Sequence, residues 1–348
     1  MKDTNKNVYQ QNKKFFLDTI TSNSDFSRLI IFFVMFVTVA ILQRNFFRYQ
    51  SIVRMINGFT PLVLLAMGQA VVMLSGSFDL SIGTALSLLT CVLTSVMKEG
   101  VPVTGFYALV IAFVVAMVIG IINGIAVGYL RVPPIIATFA TLYIWFGIAL
   151  FLRPTPGGES VDWFKIFYNV RYLKNLPNIV RQIGLILPPA LILLIIGILF
   201  WWFISKTKIA RYIYAVGGNE ESAYESGINT AKVQLQAFMI NSVYIFLAAL
   251  FFVGQNQSGD ARMGNPLMLK SIAAAIIGGI ALTGGRGNIY YAIVGALIFN
   301  FISKIIFFAN IPNAYQTLFA GVIIIVTIAA SQIYMLYSSK TIKESKIG

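Results

Sequence analysis

Three short stretches of this sequence hold residue types with which a protein does chemistry. The first, Ser75-Gly76-Ser77-Phe78-Asp79-Leu80-Ser81-Ile82-Gly83, sets one acid between two apolar runs. A carboxyl in or beside a membrane is costly to keep there, so Asp79 reads as part of a solute route. Its plain alternative is a cap for the next helix, with Ser81 and Gly83 easing packing. The second stretch is Gly217-Gly218-Asn219-Glu220-Glu221-Ser222-Ala223-Tyr224-Glu225-Ser226-Gly227. Asn219 suits an N-cap, Glu220 and Glu221 match a positive helix end, and Gly227 suits the left-handed residue after a helix. This predicts a two-turn helix, either a connector or a docking knob for a partner. The third, Gly278-Gly279-Ile280-Ala281-Leu282-Thr283-Gly284-Gly285-Arg286-Gly287, is not a phosphate-binding loop, because no Lys-Ser/Thr follows it. Its glycines permit a tight turn and close backbone approach. Arg286 would face headgroups or a partner protein.

Other chemistry is excluded or thinly supplied. The chain has no histidine, which removes histidine metal sites, catalytic triads and proton relays. Cys91 is the single cysteine, so no intramolecular disulfide can form. No Walker A sequence occurs, so a chain that pumped with ATP would have to borrow its ATPase. Apart from Asp79, acids are nearly absent from the apolar runs, and Lys304 is the one cation well inside a run. An ion-coupled secondary carrier needs buried titratable or coordinating groups, and a membrane enzyme needs a clustered catalytic set. The carrier remains an alternative; no catalytic cluster is visible.

The elements that must position these residues are set by composition. Of 348 residues, 58% are hydrophobic and 11% charged, and the mean hydropathy is +0.80. A soluble domain of this size could not cover its surface with so few charges. The chain is therefore an all-α polytopic membrane protein of about ten transmembrane helices, and not a cytosolic enzyme or a nucleic-acid binder. The excess of 26 basic over 12 acidic residues fits loops against anionic headgroups. Runs of about 20 apolar residues place spans at 29–43, 58–75, 80–97, 105–127, 135–152, 183–204, 233–254, 271–282, 289–308 and 317–336. The eighth is too short to cross alone. Gly120, Gly124 and Gly128 recur every four residues, a small-residue packing face.

Residues 1–28 are polar, do not read as a signal peptide, and form a cytoplasmic tail with an interfacial helix near Phe15–Leu17. Residues 29–337 form the transmembrane domain and 338–348 a second cytoplasmic tail. With both termini inside, 14 Lys and Arg fall inside and 11 outside. The loop 153–182 is then external, with Trp163, Phe164, Phe167, Tyr168 and Tyr172 spaced for an amphipathic surface helix. The loop 205–232 is internal, polar, and carries the short-helix signature.

Four landmarks in order together resemble the permease subunits of bacterial sugar ATP-binding cassette (ABC) importers, the group of ribose, xylose and galactose permeases with autoinducer-2 relatives. Ser75–Gly83 is similar to that family's Gly-Gly-Ile-Asp-Leu-Ser-Val-Gly, with Ser77, Phe78 and Ile82 as substitutions. Pro133-Pro134-Ile135-Ile136-Ala137-Thr138 resembles its Pro-Pro-Phe-Ile-Ala-Thr. Residues 216–229 resemble its Ile-Gly-Gly-Asn loop with the later Ser-Gly-Ile-Asn, and 272–287 its Ile-Ala-Ala and Ser-Gly-Gly-Arg-Gly stretch. Departures are Met268-Leu269-Lys270, where many members have Glu-Leu-Asp, and Phe146 before Gly147, where many have Arg. They bear on the cargo rather than the class, and would suit one half of a heterodimeric permease.

The resemblance implies a permease like that of a type II ABC importer in the bacterial inner membrane, paired with itself or a sister permease. It also implies two cytoplasmic ABC ATPases docking on Asn219, Glu220, Glu221, Ser222, Glu225 and Gly227. This chain would bind no cofactor, since ATP and Mg belong to the ATPase. A solute-binding protein outside would contact Arg153, Lys165, Arg171, Lys174, Arg181 and Arg262. A sugar is neutral and rich in hydroxyls, so hydroxyl and amide groups suffice for its translocation path. Asn57, Gln69, Ser75, Asp79, Asn123 and Thr138 are the expected lining. Nucleoside, amino-acid and autoinducer cargoes are the alternatives within the same architecture.

Overall fold

A computed structural model describes residues 24–164 and 189–312, with five further positions up to 325. Among the described residues the regular secondary structure is helical, apart from an isolated antiparallel bridge between Gly157 and Gly259. In chain order the helices are α1 Ser24–Leu42, α2 Tyr49–Leu74, α3 Ile82–Val96, α4 Val103–Gly124 with a π-helical turn Ile125–Tyr129, and α5 Pro134–Leu152. Then come α6 Pro189–Ser205, α7 Lys208–Gly218, α8 Glu220–Glu225, α9 Thr230–Asn256, α10 Asn265–Ile277 and α11 Ile289–Phe308. Among the described residues, five helices are long and apolar enough to cross a membrane, or six if α6 and α7, bent by 80°, count as one broken span. The interfacial helix near Phe15–Leu17, the surface helix beyond residue 164, the tenth span and the C-terminal tail lie outside the described residues.

Burial sorts the helices into centre and rim. Of their apolar windows, α2 is 78% and α9 72% buried, whereas α4 is 33% and α5 28% buried. Apolar residues on the outer faces of α4 and α5, such as Phe106, Phe139 and Phe151, are exposed, as suits helices whose solvent is lipid. The glycine stripe packs α4 on α9. A Cβ on Gly120 would reach the Phe238 carbonyl at 2.9 Å, and one on Gly124 the Leu235 Cα at 2.7 Å. At the rim, Phe36, Phe46, Phe59 and Phe301 join α1 to α2 and α11 through edge-to-face rings 5.2–6.0 Å apart. Such pairs contribute about 0.5–1.5 kcal/mol each beyond area burial.

Helices α3 and α10 are too short to cross the bundle, and each is preceded by a partly buried non-helical segment. After α2, residues 75–81 turn back inward before α3 begins. After α9 the chain leaves the helix at Gln257, in a left-handed conformation, and dips along α3. A Cβ on Gly259 would meet the Thr90 carbonyl at 2.8 Å, and the Gly264 amide donates to Ser87 Oγ at 2.9 Å. Gly83 and Gly264 therefore touch backbone to backbone. The N-termini of α3 and α10 meet inside the bundle, an arrangement that broken membrane helices use to place polar groups at depth.

Three boundaries differ from the apolar windows. α2 starts nine residues before its window, because Tyr49–Asn57 is polar enough to fall outside a hydropathy run but packs as helix. α10 lies earlier than its window, because Pro266 starts it and the Gly278-Gly279 turn stops it. This puts Lys270 within the helix rather than before it. The polar loop 205–232 contains a second helix, α7, capped by Thr207 and packed through Ala210, Ile213 and Val216.

Candidate functional site

The re-entrant segment 75–81 is held by side chains from four helices. Asp79 is fully buried, and its Oδ1 accepts from the backbone N–H and the hydroxyl of Ser81 at 2.8 and 2.6 Å. Its Oδ2 accepts from Asn241 Nδ2 of α9 at 2.7 Å. Asn241 is the twelfth residue of α9, about 16 Å along the axis at 1.5 Å per residue, so the carboxyl sits deep in the bundle. Ser81 Oγ accepts in turn from Asn123 of α4 at 2.8 Å, and the Asn123 oxygen accepts from Thr141 of α5 at 2.7 Å. The Gln69 amide, oriented as the hydrogen bonding demands, brackets the Asp79 main chain with two bonds of 3.2 Å.

A second knot lies beside the first. The oxygen of Gln234 accepts from Ser75 Oγ at 3.0 Å and Ser77 Oγ at 2.9 Å, and its nitrogen donates to the Ser75 carbonyl at 2.7 Å. Thr138 accepts from the Leu80 N–H at 3.1 Å and donates to the Pro134 carbonyl at 2.8 Å. Buried polar groups need such partners, because each one left without costs about 1–3 kcal/mol. One atom of these two knots is left over: Asn241 Oδ1 is buried and accepts from nothing among the described residues.

Of the six residues expected to line a path, Gln69, Ser75, Asp79, Asn123 and Thr138 meet in these knots. Asn57 does not. It is half-buried on α2, twelve residues from Gln69, which is about 18 Å. Asp79 is not itself the cap of α3: Ser81 holds the N-cap position, and Asp79 fixes it by accepting from its N–H and hydroxyl. Sequence reasoning missed Asn241, Gln234 and Thr141. Amides inside an otherwise apolar α9 were the available signal, since a buried amide must find a partner.

The short helix forms as the sequence expects, and it is exposed apart from Ala223. Asn219 accepts from the Ser222 N–H at 2.8 Å. The other end is a Schellman motif, with Gly227 at φ +80°, its N–H on the Tyr224 carbonyl and the Ile228 N–H on the Ala223 carbonyl. Glu220 pairs with Arg131 in the turn between the π-helical segment and α5, and Arg131 also donates to Thr230 Oγ1 at 3.1 Å. Tyr214 of α7 donates its hydroxyl to the Gly287 carbonyl at 3.0 Å, and burial raises that phenol above its ordinary pKa. Thus α7, α8 and the 278–288 turn share one end of the bundle with Leu74.

At the opposite end, Arg153 donates to the Thr94 carbonyl at 2.7 Å and to Ser95 Oγ at 3.2 Å. Trp163 donates to the Pro102 carbonyl at 2.9 Å. Arg153 thus holds its own loop on α3, while Arg262 is exposed. Lys165, Arg171, Lys174 and Arg181 lie outside the described residues.

Known proteins resemble the chain over nearly all of its length. The autoinducer 2 import system permease protein LsrC of Yersinia pestis (strain Pestoides F) is 29% identical over 314 residues, 89% of this chain and 85% of that protein. The protein of the same name from Yersinia pseudotuberculosis serotype O:3 (strain YPIII) matches with the same identity and coverage. No solved structure matches. The family described as branched-chain amino acid transport system / permease component matches residues 51–328. Those residues take in the re-entrant segment, both short helices and the capped helix α8, and the chain is a member of this permease family.

Proposed function

We propose that this chain is the membrane subunit of an ABC importer and passes a small sugar or sugar-like solute by alternating access. The observation that carries the proposal is α8: a short helix capped at both ends, exposed on its outer faces, and tied by Glu220 to the turn before α5. A mere connector has no need of two caps and an outward acidic face. The relatives' name, an autoinducer 2 import permease, supports a sugar-like cargo.

In this reading the α7–α8 end faces the cytoplasm, as do both termini, in a bacterial inner membrane. The chain itself breaks no bond and binds no cofactor; ATP and Mg sit on a separate ATPase docked on Asn219–Gly227. A second permease, identical or related, completes the pathway, and a solute-binding protein docks at the Arg153 and Arg262 end. Gln69, Ser75, Asp79, Asn123 and Thr138 flank the path, with Asn57 nearer the outer face. Their hydroxyls and amides would exchange internal hydrogen bonds for those of the solute as the helices rock. An ion-coupled carrier would instead place its driving force on Asp79 and carry no ATPase.

The test is a mild-detergent pull-down of the tagged chain from its native membrane. A Walker A protein in near-stoichiometric amount is expected. Glu221→Lys and Gly227→Val should remain folded, lose that partner and lose ATP-driven uptake. Gly227 has open space around its Cβ position, so valine there strains only the left-handed turn. Normal uptake by either variant refutes the docking role, and a chain recovered alone refutes the importer.

A further inference from the structure

The docking helix is joined to the re-entrant segment by backbone rather than by side chains. Gly217 sits in the last turn of α7, two residues before the Asn219 cap. A Cβ there would strike the Leu74 carbonyl oxygen and come within 2.7 Å of the Gly285 nitrogen. The Leu74 carbonyl accepts from that same Gly285 N–H at 3.0 Å. Gly284, at φ +85°, lies so close that its Cβ would come within 2.7 Å of Gly76 Cα and 2.8 Å of the Gly217 oxygen. Three chain segments, the end of α2, the end of α7 and the α10–α11 turn, therefore touch with no side chain between them. Ser75, which Gln234 binds, follows Leu74 directly.

We infer that this glycine contact is the joint through which movement of α8 reaches the Asp79 segment, with Gly217 and Gly284 as positioning residues for transport. The physical reason is stiffness. Side chains in contact can change rotamer and absorb a displacement, whereas main-chain atoms in van der Waals contact cannot. A push on α8 would then move Leu74 and Gly76 as one body with the end of α7, and through them the hydrogen bonds of Ser75, Ser77 and Asp79. The inference rests on the ATPase-docking reading given above.

Gly218 supplies an internal control, since a Cβ there would meet nothing within 4 Å. Both positions have helical backbone, so alanine suits either one conformationally. Only Gly217→Ala forces the joint apart. Tyr214→Phe is a milder companion that removes only the hydroxyl bond to Gly287.

The readout is Cys91, the single cysteine, fully buried in α3 beside Gly259. The tagged permease is purified with its ATPase, and N-ethylmaleimide labelling of Cys91 is timed with and without ATP. Wild type and Gly218→Ala should show the same ATP-dependent change in labelling rate. Gly217→Ala should still bring down an ATPase that hydrolyses ATP, while the ATP-dependent change falls about tenfold, equivalent to about 1.4 kcal/mol of lost coupling. Tyr214→Phe should fall between them. An undiminished change in Gly217→Ala overturns the joint, and so does a wild-type complex whose labelling ignores ATP. If Gly217→Ala does not assemble, Tyr214→Phe decides: a wild-type response there also overturns the joint. Absence of the ATPase from the wild-type preparation is a separate result, which refutes the docking reading instead.

Discussion

Replacing Asp79 in two ways separates its charge from its hydrogen bonds. Asp79→Ala leaves three donors facing nothing: the Ser81 N–H, the Ser81 hydroxyl and Asn241 Nδ2. At about 1–3 kcal/mol for each buried orphan, the loss is about 3 kcal/mol or more. Asp79→Asn keeps an oxygen for Ser81 but turns a donor towards the Asn241 nitrogen. Asn241 has a remedy, because its Oδ1 accepts nothing. Turning that amide over lets it accept from the new side chain and leaves one orphan, its own nitrogen. The cost should then be about 1–2 kcal/mol. Both variants would be unfolded in mixed detergent micelles with increasing sodium dodecyl sulfate and followed by tryptophan fluorescence. Asp79→Asn should stand closer to wild type than Asp79→Ala by at least about 1 kcal/mol. Equal losses would show that the negative charge matters rather than the bonds. A loss below about 1 kcal/mol in Asp79→Ala would show that the buried network is not what holds the segment.

Two further outcomes follow from the same geometry. Arg131 and Glu220 are both about half exposed, at 56% and 46%. Arg131→Ala should therefore shift stability by no more than about 1 kcal/mol. Uptake should nonetheless fall, and Arg131→Glu with Glu220→Arg should restore more of it than either single exchange; no restoration in the double variant refutes the pairing. Gly83→Val should destabilise by about 3 kcal/mol or more, because its Cβ has no room against the Gly264 carbonyl; a thermal-denaturation midpoint equal to wild type would refute the head-to-head contact of α3 and α10.

The sequence makes helices legible where lipid dictates composition, and less so where polar residues take over. α11 coincides with its apolar window at 289–308, and α5 is one residue longer than its own. The short helix α8 could be read to the residue, because Asn219 and Gly227 carry the two conformations that a short helix needs at its ends. The re-entrant segments could not. Ser75–Gly83 shows one acid between two spans, and nothing local says that the chain turns inward there. Depth is fixed by partners far along the sequence: Asn241 lies 162 residues from Asp79, and Gln234 lies 159 from Ser75. Arg153 adds a second case: a basic residue at a loop edge reads as surface charge, and nothing local shows that its guanidinium also bonds the Thr94 carbonyl in the last turn of α3.

The bridge between Gly157 and Gly259 has a bearing on how such a chain can change over evolutionary time. Its two hydrogen bonds, 3.0 and 2.8 Å long, run main chain to main chain in both directions. They close the loop after α5 onto the segment that dips beside α3. A fastening made of amide and carbonyl groups asks little of the side chains around it: Gly259 must stay small where it passes Thr90 and Cys91, and Gly158, at φ +110°, where it passes Thr94. Other neighbouring positions are therefore free to vary with the solute while the fastening stays in place.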